Sequence, residues 1–329
     1  MSLSVDQFGE FHHAVHGKHP FAWQSRLLAQ IVADRSWPGV LDLPTGAGKT
    51  TCIDIAVFAL ALDAQKQPSE RWCPRRIAMV VDRRIVVDQV TERGRTILRA
   101  LVRQDRPPVV AGVARLLQSL SHGDEEPLGV FTIRGGIPKD NGWARTPHQP
   151  LILASTVDQI GSRLLLQGYG VTQCMRPVHA GLLGNDTLVL LDEVHLSQPF
   201  AQTLDALAAL RGRFATTGLP SRFQHVFLSA TPLANARQPF RLSDDEKGSD
   251  SPLGPRLHAK KESRLVQEAD REAVERRCID EARALIDRHD VVAVVVNRVA
   301  SAATIAGQLR QHAAGAWDVA LLTGRMRPL

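Results

Sequence analysis

Long apolar runs are what this chain most plainly lacks. Runs such as Val291–Val296 fall far short of the roughly 20 residues that cross a bilayer, so no membrane segment is expected. Cysteine is sparse as well. The four cysteines, at positions 52, 73, 174 and 278, show no paired spacing, and no signal-peptide pattern opens the chain. A disulfide framework and a cysteine zinc cage are thereby excluded, and a reducing cytoplasm is the expected compartment. Aromatic residues make up only 5% of the sequence, so the core must be aliphatic. No internal repeat is present. With 44% apolar and 22% charged residues, the chain is neither disordered nor fibrous in composition.

What the chain does have is length and positive charge. Its 329 residues suffice for two domains, or for one and part of another. A formal charge of +6 favours an anionic partner, nucleic acid first, although a solvated basic face reads equally well from charge alone.

Apolar runs of strand type recur between helix-patterned segments at Gly39–Leu43, Ile77–Val81, Leu151–Ser155, Leu188–Leu191, Val226–Ser229 and Val291–Val296. Such alternation predicts an α/β fold with a doubly wound parallel sheet, whose ligands gather at the carboxyl ends of the strands. Three regions are expected: a first lobe over 1–234, a linker or exposed loop over 235–262, and the start of a second lobe over 263–329, with a short strand at Val319–Leu322. Two strands and two helices cannot cover both faces of a sheet, so exposed apolar surface or a longer natural chain is expected there. A Gly- and Pro-rich segment, His122–Pro150, reads as an insertion whose Arg134–Ile137 and Asn141–Arg145 stretches either touch phosphates or are merely solvated.

The most informative motif is LDLPTGAGKTT, Leu41–Thr51. A strand entering a glycine-bearing turn followed by Lys-Thr describes a phosphate-binding loop. Gly46 and Gly48 let backbone N–H groups near Thr45, Ala47 and Thr51 approach the phosphates, Lys49 meets their oxygens, and Thr50 offers a hydroxyl to Mg²⁺. ATP and Mg²⁺ are the expected ligands. In TLVLLDEVHLSQPF, Thr187–Phe200, an apolar strand delivers two acids to its end. Asp192 is placed to hold the metal and Glu193 to activate water, the alternative being acids that cap the next helix.

Shorter segments fit the same chemistry. In FAWQ, Phe21 is able to stack on a base and Gln24 to read an adenine edge, unless the aromatics are core. Ser229, Ala230 and Thr231 follow another strand, where the hydroxyls can link the nucleotide to the other lobe. Arg83 and Arg84, just beyond a strand, suit the phosphates of a nucleic-acid strand, or are an ordinary exposed helix start. Thr156, Asp158 and Gln159 sit at a strand end and helix N-terminus, suited either to a phosphate contact or to capping. The cluster FHHAVHGKHP places His12 and His16 on one helical face, but no acid accompanies them at ligand spacing; a polar N-terminal helix is the expected role.

The ordered set FAWQ, LPTGAGKT, VVDRR, STVDQ, DEVH and SAT resembles the motifs of superfamily 2 helicases, and VVAVVVNRVASA (Val291–Ala302) resembles the opening of their second lobe. VVDRRIVVDQ, STVDQIGSRLLLQGYG, PVHAGLL and LLDEVHLSQPF together resemble the CRISPR-associated helicase-nuclease of type I systems, nearest its I-U (I-G) branch. The resemblance implies RecA-like lobes and an ATP-driven, 3′ to 5′ motor on single-stranded DNA, recruited by a surveillance complex with guide RNA. It assigns His195 to coupling with Ser229–Thr231, and Asn297 and Arg298 to the strand. The family's later second-lobe motifs and nuclease domain have no counterpart here, so an incomplete second lobe and weak turnover by this chain alone are expected. Alternatives from the residues themselves are an RNA helicase, a restriction-type DNA translocase, or a nucleotide- and nucleic-acid-binding module without catalysis.

Overall fold

In the computed structural model, residues 2–121, 126–136, 140–214, 222–230, 238–260 and 262–323 are described. The chain forms two compact units, Met1–Ala259 and Lys260–Leu329.

The first unit is built on α1 (Phe8–His16), α2 (Ala22–Asp34), β1 (Val40–Asp42), α3 (Cys52–Ala64), β2 (Arg76–Val81), α4 (Arg84–Val102) and α5 (Pro108–Gln118). It continues with β3 (Gly129–Ile133), β4 (Leu151–Thr156), α6 (Val157–Leu164), α7 (Arg176–Gly184), β5 (Thr187–Asp192) and α8 (Gln198–Arg213). It ends with β6 (Gln224–Ser229), β7 (Phe240–Arg241) and two short helices, α9 (Asp244–Lys247) and α10 (Gly254–Leu257). The seven strands make one sheet in the order β3-β4-β2-β5-β6-β1-β7, and every pairing is parallel. This is a doubly wound α/β lobe.

Burial on both faces explains why the strands read as continuous apolar runs. In β2, Ile77, Met79 and Val81 join the core beneath α1–α5, whereas Ala78 and Val80 join the core beneath α6–α8. The same alternation divides Ile152 and Ala154 from Leu151 and Leu153, and Leu188 and Leu190 from Val189 and Leu191. Helix α3 has no polar face, since nearly every residue on it is buried. It crosses the middle of the larger core.

Two strands lie where no strand is expected. β3 falls inside the supposed insertion; its short sequence GVFTI sits at the sheet edge and is only half buried, so it has little apolar signal. β7 falls inside the supposed linker. It pairs with β1, and Phe240, Leu242 and Leu253 enter the main core, so residues 238–259 belong to the first unit. Arg26 clamps it, stacking 4.2 Å over the Phe240 ring and donating to both carboxylate oxygens of Glu246. Residues 235–237, like Ile137, Thr231 and 324–329, lie outside the described residues.

The second unit holds α11 (Arg271–Ile286) and α12 (Val299–Ala313), which pack through Ile279, Ala282, Ile305 and Leu309. The predicted strands at 291–296 and 319–322 have no ladder partner among the described residues. Val292, Val294 and Val296 pack against the helices while Val291 and Val295 are 84% and 90% exposed. That is a strand's period of two without the neighbour that makes a strand. No helix among the described residues is long and apolar enough to cross a membrane.

Candidate functional site

Because every ladder is parallel, the carboxyl ends of all seven strands share one rim. On it β1, β6 and β5 lie side by side, with Asp42 opposite Ser229 and Asp192 opposite Leu228. The loop Leu43–Gly48 leaves β1 there, and the Leu43 N–H donates to the Ser229 carbonyl at 2.9 Å. Gly46 and Gly48 both adopt φ of +83°, a region where only glycine is unstrained, and the chain turns into helix at Lys49.

The loop is held from behind by the FAWQ segment. Trp23, fully buried, donates its indole N–H to the Ala47 carbonyl at 3.1 Å. Gln24 accepts from the Phe21 N–H at 2.9 Å and donates to the Gly48 carbonyl at 3.3 Å. A Cβ on Gly48 would lie 3.1 Å from Gln24 Nε2 and 3.5 Å from the Phe21 ring. The buried amide of Gln24 is thus occupied at both ends within the protein, and its Nε2 tethers the loop at Gly48. The hydroxyl of Thr51, also buried, accepts from Arg93 at 3.0 Å, so it too supports the loop from within. Thr45 and Gly46 are exposed and Thr50 is half-buried, on the open side.

Lys49 converges with the acid pair. Its side chain is 9% exposed, and its ammonium donates to the Leu43 carbonyl at 3.3 Å and lies 3.5 Å from Glu193 Oε1. Glu193 is a non-glycine residue in the left-handed region, at φ 50° and ψ 51°, a strained state that concentrates at functional sites. Its backbone N–H donates to Asp192 Oδ1 at 3.1 Å. His195 Nδ1 stands 3.4 Å from Glu193 Oε2. Burial pushes the Asp192 carboxyl above its usual range, an effect the nearby Lys49 charge only partly offsets. A half-buried carboxylate of that kind and the Thr50 hydroxyl are hard oxygen donors, the set that suits Mg²⁺. Ser229 ends β6 between the two loops, and Ala230 follows it.

One functional neighbour has no signal in its own stretch of sequence. Arg256 of α10 donates to the Gly46 carbonyl at 3.0 Å and lies 5.4 Å over the Phe21 ring. It comes from the segment read as linker, and only the docking of β7 brings it to the loop.

The other half of the rim is formed by β2, β4 and β3. Arg83 and Arg84 are exposed where β2 gives way to α4. Arg84 packs on the turn after β3 so closely that a Cβ on Gly135 would lie 3.0 Å from its Nη2, and Arg134 pairs with Asp88 at 2.8 Å. Thr156 ends β4, buried and opposite Val81, with Asp158 exposed in the first turn of α6. Gln159 is occupied, accepting from the buried Arg163 at 2.7 Å. Asn297 and Arg298 belong to the second unit, Arg298 standing at the N-cap of α12.

No family model and no curated protein matches the chain. Among solved structures it is similar to the helicase domain of Pyrococcus furiosus Hef, with 14% identity and a TM-score of 0.41, over 91% of this chain and 54% of that one. It is also similar to the yeast DEAD-box splicing factor Prp28, with 12% identity and a TM-score of 0.42, over 93% and 62% respectively. The chain thus spans less than two thirds of either protein.

Proposed function

We propose that the first lobe binds Mg·ATP and hydrolyses it in the service of movement along a nucleic-acid strand. The observation that carries this reading is the meeting of Lys49 Nζ, on a glycine-turned loop, with Glu193 Oε1 at 3.5 Å across the β1–β6–β5 rim. Thr50 and Asp192 would hold the metal, which supplies charge neutralisation at the phosphates. Lys49 binds the terminal phosphate oxygens, and Glu193 orients and deprotonates the attacking water. His195, 3.4 Å from Glu193, relays the state of that carboxylate toward Ser229–Thr231.

In its finer form the reading is a DNA helicase of type I CRISPR interference, working 3′ to 5′ on single-stranded DNA beside a guide-RNA surveillance complex. Support for that form is the sequence resemblance alone. Arg83 and Arg84, with Thr156, Asp158, Gln159, Asn297 and Arg298, are the groups proposed for the strand.

The test is a titration of fluorescent ATP with Mg²⁺ into the wild-type chain, Lys49→Ala and Glu193→Gln, followed by turnover with DNA or RNA strands of matched sequence. Binding lost in the first variant, and kept in the second without turnover, is the expected result. A preference for RNA would replace the DNA motor by an RNA helicase. Turnover unchanged in both variants would remove the catalytic assignment and leave a binding module.

A further inference from the structure

A second group of ligand-type side chains lies between α1 and the first turn of α3. His12 and His16 stand one turn apart on α1, so they share a face. The missing acid comes from elsewhere in the fold: Asp54, in the first turn of α3, and the two histidines each place one donor atom within 4.8 Å of the others.

Three observations point to a ligand. His12 is only 6% exposed, and its Nδ1 lies 2.7 Å from the Lys18 carbonyl. That oxygen accepts only from an N–H, which leaves a bare lone pair on Nε2. The same Nε2 is buried with no hydrogen-bond partner. A histidine whose outer nitrogen donates to a backbone carbonyl is how metal-ligating imidazoles are oriented. Asp54 is fully buried; Arg93 holds its Oδ2, which turns Oδ1 to His16 Nε2 at 2.6 Å. Finally, the His16 side chain keeps 15% exposure, an entry path for an ion and room for a water.

We propose that His12, His16 and Asp54 form a binding site for a divalent cation of the zinc class. Imidazole and carboxylate suit such ions, and three protein ligands leave the fourth position to water. On binding, the hydrogen shared by His16 and Asp54 leaves Nε2 for Nδ1 or for solvent. The two donor atoms then part from 2.6 Å to the wider spacing of tetrahedral ligands at about 2.0 Å from the ion. An ion there ties α1 to α3 and, through Arg93 and its 3.0 Å bond to Thr51, to the first helical turn after the phosphate loop. The proposal does not depend on nucleotide chemistry.

The experiment titrates the chelator-treated full chain, free of nucleotide, with Zn²⁺ by calorimetry and with Co²⁺ by visible absorption. One-to-one binding with the absorption of nitrogen- and oxygen-ligated Co²⁺ is expected. His12→Gln and His16→Gln should each weaken it by more than the roughly 10- to 100-fold that outer partners are worth. A His13→Gln/His19→Gln double variant, which removes the exposed pair stacked at 4.6 Å on the same segment, should bind as wild type. Lys49→Ala should do so too, which separates this site from the nucleotide site. Should the His12 or His16 variants fail to fold, imidazole nitrogen resonances of the wild-type chain decide: Zn²⁺ must shift those of His12 and His16. Absence of one-to-one binding, its loss in the His13/His19 variant, or unshifted His12 and His16 signals would overturn the proposal.

Discussion

The two halves of the rim hold their polar groups in opposite ways. Around β1, β6 and β5 the groups are buried and pinned: Lys49 is wedged between a carbonyl and Glu193, Trp23 and Gln24 tether the loop carbonyls, and Asp192 is bonded by its neighbour's N–H. Around β2, β4 and β3 the charges at Arg83 and Arg84 are exposed, with Arg84 laid along the turn at Gly135. A small, highly charged ligand gains from donors fixed in advance. A long polyanion is held by mobile charges one phosphate at a time. Geometry therefore separates a candidate chemical half from a candidate track half, a division that charge counts alone do not reveal.

The largest effect that tests this division is Lys49→Ala, expected to weaken Mg·ATP binding by about 100-fold or more while leaving strand affinity intact. Fluorescent-nucleotide and strand titrations on the same preparation measure both. Glu193→Gln comes next: turnover should fall by roughly 10²- to 10⁴-fold with nucleotide affinity preserved, read from steady-state phosphate release. Arg83→Ala/Arg84→Ala should act on the other half only, lowering strand affinity and reducing the salt slope by about 0.7 per lost phosphate contact. An equal loss of Mg·ATP binding in that variant would dissolve the distinction.

Smaller effects concern how the pinned half is held. Trp23→Phe removes one buried hydrogen bond to Ala47 and should cost about 1 kcal/mol in denaturant unfolding. Asp192→Asn should do the reverse. Burial raises the Asp192 carboxyl, so the folded chain holds that proton to higher pH than the unfolded one does. Stability is then lost as pH rises from the unfolded value through the raised folded one. The amide lacks this dependence, so the nucleotide-free variant should gain about 1 kcal/mol at neutral pH, the usual size when a strained functional group is removed. Unfolding curves across that pH window check the sign.

Much of the first lobe could be read from residues because its signals are contiguous. Each of the buried central strands is an unbroken apolar run, and the phosphate loop and the acid pair are each encoded within a dozen residues. β3 and β7 escaped because an edge strand is half exposed and a two-residue strand has no period to detect. Arg256 and Asp54 escaped for another reason: their partners lie 210 and 38 residues away in sequence, so only the closed fold brings them together. The bond from Gln24 to the Gly48 carbonyl was not foreseen, since an amide's type says nothing about which carbonyl it will meet. In the second unit the apolar run at 291–296 does bury alternate residues as a strand would, yet a run alone cannot supply a neighbouring strand.

The contact between residues 49 and 193 makes the proposed site an interlock. While the ammonium stands 3.5 Å from Oε1, that oxygen is directed at the lysine rather than at a water. In the proposed function, a triphosphate arriving at the loop would compete for the same ammonium and free the carboxylate at the moment there is something to cleave, so the fuel itself would arm the base that consumes it.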